Sequence, residues 1–140
     1  MSIEAALTTW LESDPDVAAA VGARIYPQSI PQGASFPCVT YYRTGQQTTR
    51  SLSGLTGLSR ARLTLDCWAL TYSAAKSLAD AVRGTKSTPK LDGYRGTVGG
   101  VKIQACFCTN VTDSLETPVH GDEKGVPHVA LDFDLNYEDV

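Results

Sequence analysis

Positive charge is scarce and scattered in this sequence. Twelve Lys and Arg stand against 15 Asp and Glu, a formal charge of −3. Binding nucleic acid through its phosphates needs clustered cations that displace counterions. Arg60 and Arg62 form no more than a local pair, so a basic nucleic-acid patch is excluded. No run approaches 18 consecutive apolar residues, which excludes a membrane-spanning helix. The opening Met-Ser-Ile-Glu-Ala-Ala-Leu lacks the basic and apolar regions of a secretory signal. The chain is therefore expected to be made in a cytoplasm. There, Cys38, Cys67, Cys106 and Cys108 are expected as free thiols, without disulfides.

Catalytic signatures are equally sparse. The sequence contains no Gly-x-Ser-x-Gly elbow, no His-Glu-x-x-His and no glycine-rich loop leading from a strand into a helix. Thr85-Lys86-Ser87 follows a helix instead of preceding one and lacks the glycine spacing of a phosphate loop. The only histidines, His120 and His128, lie in or beside a polar segment with Asp122 and Glu123. Their spacing matches no metal motif, and a solvated acidic loop is the simpler reading. Cys106-x-Cys108 puts two thiols on one strand face. Zinc would need two further ligands, and Cys67 falls on a buried parity. Asn110-Val111-Thr112 fits a glycosylation acceptor, which carries no meaning without export. No metal, no cofactor and no catalytic residue is expected.

What remains is ordinary globular material: 42% hydrophobic and 19% charged residues over 140 positions, read as one domain spanning 1–140. Ile3, Leu7, Trp10 and Leu11 make one helical stripe, with Ser2 as its cap. Asp14 and Pro15 restart a short helix through Val21, which Gly22 stops. Arg24 to Pro27 reads as short and extended. A Pro-rich link then leads to a strand over 38–44. Residues 45–57 are polar and read as a long loop or hairpin arm. In 59–70, Ala61, Leu63, Leu65, Cys67 and Ala69 alternate with polar residues, the period of a half-buried strand. Thr71 caps a helix with Tyr72, Ala75, Leu78, Ala79 and Val82 as its stripe, ended by Gly84. A turn-rich segment to Gly100 has room for a short hairpin over 91–98.

Val101, Ile103, Ala105 and Phe107 are then expected inward. Residues 112–127 read as a second long loop. Val129 to Tyr137 alternates cleanly again. The fold class expected is α+β: an antiparallel or mixed sheet of about four to five strands, with two main helices on one face. The opposite sheet face, carrying Thr40, Tyr42, Thr64, Trp68 and Cys106, is too weakly charged for a plain solvated surface. Either a helix covers it or a protein partner does.

The order and spacing of these pieces resemble the tail-completion proteins of tailed bacteriophages, also described as tail-terminator or tail-to-head joining proteins. The likeness rests on Val21-Gly22-Ala23-Arg24-Ile25-Tyr26-Pro27 after a short helix, on Ile30-Pro31 and Phe36-Pro37-Cys38-Val39, and on Asp66-Cys67-Trp68-Ala69 followed by Tyr72-Ser73-Ala74-Ala75-Lys76. The closing Asp132-Phe133-Asp134-Leu135 also fits. The resemblance implies a homo-oligomeric ring, usually of six subunits, that caps the finished tail tube and meets the neck of the head. Its partners would be the tube protein and a head-completion protein. DNA would pass through without sequence-specific binding, no membrane is involved, and no catalytic residue is implied. Interface residues expected on this reading are Arg24 (through Asp16 or a neighbouring subunit), Tyr42, Thr48, Arg50, Trp68, Asp122 and Glu123. Asp132, Asp134 and Glu138 share one strand face and are expected to face or border the channel. The alternatives are another neck component, such as a head-closure or stopper protein, or a small metal-binding enzyme using His120, His128 and the thiols.

Overall fold

The computed structural model describes residues 2–31, 33–51, 54–116 and 126–138, the side chains of 49–51, 54–57, 115 and 116 excepted. Among these described residues, three helices and six strands follow in the order α1 (Ile3–Ser13), α2 (Pro15–Val21), β1 (Ile25–Pro27), β2 (Cys38–Ser51), β3 (Gly54–Trp68), α3 (Tyr72–Arg83), β4 (Gly96–Val98), β5 (Val101–Glu116) and β6 (Val126–Glu138). The strands form one sheet in the spatial order β1-β2-β3-β6-β5-β4. Only β1–β2 is parallel; the other pairings are antiparallel. The sheet is thus mixed. It has six strands where four to five were expected, because the short extended segments at 25–27 and 96–98 pair as its edges.

The helices form where the sequence places their caps. The Ser2 hydroxyl accepts from the Ala5 N–H at 3.1 Å, and Ile3, Leu7, Trp10 and Leu11 are buried as one stripe. Asp14 ends α1 and caps α2, its carboxylate accepting from the Val17 N–H at 3.2 Å, with Pro15 at the first helical position. This satisfies donors that a helix start would otherwise leave orphaned. Thr71 does the same for α3, accepting from the Ala74 N–H at 3.2 Å. Gly84 leaves α3 at φ 86, a backbone region open to glycine and closed to most L-residues.

All three helices contact the sheet or one another on the side that carries Val39, Leu63, Leu65, Leu131 and Phe133. Every second residue of β6 from Val129 to Tyr137 is buried there. Burying one such side chain contributes about 1.5–3 kcal/mol, so this layer holds the molecule together. Lys90 fastens the far side of the helical layer, its Nζ 3.0 Å from Asp14 and 3.1 Å from Asp16.

Of the two long polar segments, 45–57 takes the hairpin-arm form of its two readings, and the described ends of 112–127, expected as a loop, are strand. β2 and β3 continue through the polar segment 45–57 as a hairpin arm, pairing Gln46 with Ala61, Thr48 with Ser59 and Arg50 with Leu55. β5 and β6 likewise extend into 112–127, as far as Glu116 opposite Val126. A polar sequence pairs as well as an apolar one when a partner strand satisfies its backbone.

The alternation in β5 also departs from expectation. Register shifts between Ile103 and Ala105 and between Cys108 and Asn110 each insert an unmatched residue, and a bulge of one residue exchanges the two faces. Val101 and Ile103 point inward as expected. Beyond the first shift Cys106 is fully buried and Phe107 is 54% exposed. Cys106 therefore belongs to the core and Phe107 to the outer face, the reverse of the sequence reading.

Candidate assembly surfaces

The sheet face opposite the helices is built from alternate residues of β2, β3, β6 and β5. Across it run the aligned sets Thr40–Asp66–Ala130–Thr112, Tyr42–Thr64–Asp132–Asn110 and Arg62–Asp134–Phe107. Side chains of these strands cover one another. Trp68 donates through Nε1 to the Thr40 hydroxyl at 3.0 Å and lies on the His128 ring with centroids 4.1 Å apart. Thr64 donates to Asp132 at 2.7 Å, and Asn110 reaches the other carboxylate oxygen at 3.5 Å. These bonds explain how Thr40 and Thr64 are buried on a face that no described helix covers.

One ion pair among the described residues lies on this face. Arg60 holds both oxygens of Asp134, one through Nε at 2.8 Å. Its hydrogen bonds, assisted by the charges of Arg60 and Arg62, keep the Asp134 carboxyl below the usual range. Asp66 moves the other way: partial burial raises its pKa, opposed by His128. Thr44, Arg60, Arg62, Thr109, Asp132 and Asp134 border a shallow hollow, which lacks the apolar, enclosed walls of a small-molecule site.

The thiols do not form a reactive centre. Burial pushes Cys38 up to about 11 and raises Cys67, Cys106 and Cys108. A thiol so shifted is a poor nucleophile and a poor metal ligand at neutral pH. No group of three or more His, Cys, Asp or Glu with metal-binding geometry occurs among the described residues. Thr85-Lys86-Ser87 forms an exposed bend beyond α3, where the Thr85 hydroxyl accepts from the Thr88 N–H at 3.1 Å. No helix among the described residues is long and apolar enough to cross a membrane.

The sheet has two edges that its own strands cover only in part. β1 pairs with β2 over Val39 to Tyr41, and β4 pairs with β5 over Val101 to Ile103. The Asp92–Gly93 turn covers β5 a little further, with Gly93 N–H donating to Cys106 O at 2.6 Å and Cys108 N–H to Asp92 at 3.0 Å. From Thr44 to Ser51 on β2 and from Thr109 to Glu116 on β5, no described strand pairs with the outer side. An uncovered edge of this kind is a template for another chain.

The profile of the tail completion protein gp17 family matches residues 5–109, three quarters of the chain. The chain belongs to this family. By that family it is a structural tail completion protein and not an enzyme. A chain from the virion of a native gene transfer agent particle has the same fold: TM-score 0.68 and 18% identity, over 98% of this chain and 95% of that one. A search of curated proteins finds no match.

In this tail completion protein the residues expected at interfaces lie in different surroundings. Tyr42 and Thr48 are exposed on β2, Tyr42 on the polar face and Thr48 on the hairpin arm. Arg50 lies in β2 without a described side chain. Trp68 is half-buried in the polar face. Arg24 is committed inside its own chain: its guanidinium donates to Pro37 O at 2.9 Å and Ala20 O at 3.1 Å, while Asp16 pairs with Lys90. Asp122, Glu123 and His120 lie outside the described residues. Asp132, Asp134 and Glu138 do share the outer face of β6, though Asp134 is neutralised by Arg60. Sequence reasoning missed Phe107, and also Val111 and Tyr72 beside the open edge of β5. The register shift between Ile103 and Ala105 turns Phe107 outward, and no local pattern marks it, whereas Val111 stays on the helix side opposite Leu131 and is exposed at the open edge.

Proposed function

We propose that this tail completion protein works as one domain in a homo-oligomeric ring, of six subunits by the family resemblance. The ring ends growth of the tail tube and joins the tail to the head. The observation that supports this best is the pair of uncovered strand edges on opposite sides of one sheet. A cyclic ring needs contacts in which one patch meets a different patch of the next subunit, and two distinct edges supply such a pair. The polar face, with Tyr42 and Trp68, and the hairpin arm with Thr48 and Arg50 serve the contacts to the tube protein and the neck. Asp132 and Glu138 border the channel, where carboxylates repel phosphate and let DNA slide past without adhering.

Electron microscopy of particles assembled without the protein tests this reading. Filled heads beside unattached tails, many of abnormal length, are expected. Normal-length tails firmly joined to heads would overturn it. Tails of correct length that merely fail to attach would instead assign the protein to the neck. Deleting Thr48 to Gly54 should leave the chain folded but reduce head–tail joining; normal joining would remove the arm from the proposed contacts.

A further inference from the structure

We infer that successive copies are joined by antiparallel pairing between the open edge of β2 in one subunit and the open edge of β5 in the next, with the sheet lying obliquely to the ring axis. This rests on the ring reading above and specifies its joint.

The backbone parity of the two edges carries the inference. The Val39 N–H donates to Arg24 O and the Gln28 N–H to Tyr41 O, so residues 39 and 41 turn their backbone groups away from β3. The register shift between Arg43 and Gly45 resets the phase, leaving Gln46 and Thr48 turned outward. On β5, Cys106 O and Cys108 N–H face the Asp92–Gly93 turn. After the shift between Cys108 and Asn110, Val111, Asp113 and Leu115 face outward. No described backbone group bonds these outward groups on either edge.

The outward residues of both edges lie on the helix-bearing side. Gln46 and Thr48 oppose the buried Ala61 and Ser59; Val111 and Asp113 oppose the buried Leu131 and Val129. Asp113 reaches α3 through Tyr72 at 2.6 Å and Lys76 at 3.3 Å. Residues directly opposed in an antiparallel pair point to the same face. Joining outward residues to outward residues therefore places helix side beside helix side and polar face beside polar face.

Strand direction agrees. In the order β2-β3-β6-β5 each neighbour is antiparallel, so β5 runs opposite to β2. A copy related by the modest rotation of a ring keeps that relation. Charge opposes the like-with-like alternatives. The open stretch of β2 contains Arg50 and no acid, while that of β5 contains Asp113 and Glu116 and no base. A two-fold pairing of either edge with itself sets like formal charges together.

The two open stretches sit at different heights, which determines the tilt. Thr48 is level with Ser59, and Val111 is level with Leu131 and Leu65. From one copy to the next the joint advances four strands sideways, roughly 19 Å at ~4.8 Å per strand, and about six residues along, roughly 20 Å at ~3.3 Å per residue. Closing a ring on that step leans the strands by about 45° from the axis, at the upper end of the tilt of roughly 35–45° found in closed sheets. Upright strands would give a rising filament instead.

The test uses particles assembled with Thr48→Cys/Val111→Cys in a Cys108→Ser background, treated with a short bismaleimide. A ladder ending at the ring is expected on denaturing gels, with each single variant remaining monomeric. Dimers from Thr48→Cys alone would overturn the joint, since they place two β2 edges together. An unlinked double variant in tails that carry the wild-type copy number would also overturn it while sparing the ring. A single copy per tail would overturn the ring reading itself. Thr48→Pro removes an outward N–H that the fold does not use, and edge strands tolerate proline. It should fold with wild-type melting yet lower the yield of joined particles at least tenfold; undiminished joining would likewise refute the joint.

Discussion

Replacing Gly84 with alanine should be among the most damaging small substitutions in this chain. Gly84 closes α3 at φ 86, ψ −174, a region nearly reserved for glycine, where another residue costs about 1–3 kcal/mol. Geometry adds to that. A Cβ built there lies 2.4 Å from Lys90 N, 2.8 Å from Thr88 O and 2.9 Å from Lys90 Cβ. Two of these atoms are backbone and cannot rotate away. Relief requires opening the bridge between Gly84 and Pro89 and displacing Lys90, whose Nζ holds the buried Asp14 at the α1–α2 corner. Losing that charged hydrogen bond costs about 1.5 kcal/mol. The whole effect is about 3–4 kcal/mol, which at this chain length lowers Tm by roughly 10 °C.

Gly93 separates the two contributions. It has the same φ of 86, but nothing lies within 4 Å of an added Cβ. Gly93→Ala should therefore show conformational strain alone, a drop of roughly 3–4 °C for a cost near 1 kcal/mol. Thermal unfolding followed by circular dichroism measures both. Equal melting of the two variants, or a Gly84→Ala protein within 3 °C of wild type, would refute the reasoning that the backbone contacts around Lys90 dominate.

Other outcomes follow from the polar face and the core. Native protein at pH 7.5 should react slowly with a thiol reagent, Cys108 first because it alone is incompletely buried, whereas unfolding without reductant should release four reactive thiols; two would indicate a disulfide. Asp134 has a lowered folded-state pKa, so its contribution is present above the unfolded value near 4 and is lost as pH falls through the lower folded value. Asp134→Asn should accordingly flatten the fall in melting temperature below pH 4, and an unchanged acid profile would count against the Arg60 pairing. Asp66 is shifted upward; its favourable contribution is full below the unfolded pKa and disappears as pH rises through the folded one. Asp66→Asn should thus melt no lower than wild type at pH 7, and a large loss there would show that the ionised carboxylate is needed.

Local chemistry was enough to reveal much of this protein. Caps at Ser2, Asp14 and Thr71, the stop at Gly84 and the strict alternation from Val129 to Tyr137 are short-range signals. Each is decided by backbone hydrogen bonds or by the burial of one face, and each is written in adjacent residues. The order of elements and the motif around Val21 to Pro27 were likewise sufficient to suggest the family. What tertiary structure decided is everything that depends on which strand lies alongside. The polar residues after Thr44 and from Thr112 to Glu116 became sheet because neighbouring strands satisfy their backbone, a condition that residue type does not state. The first bulge in β5 moved Cys106 into the core and Phe107 out of it, because one unmatched residue exchanges the faces until the second bulge restores them. Arg24 turned to its own Pro37 and Ala20 carbonyls because the fold brought those acceptors within reach. The open edges of β2 and β5 exist only because β1 and β4 are three residues long and stop short, a fact of pairing between distant segments.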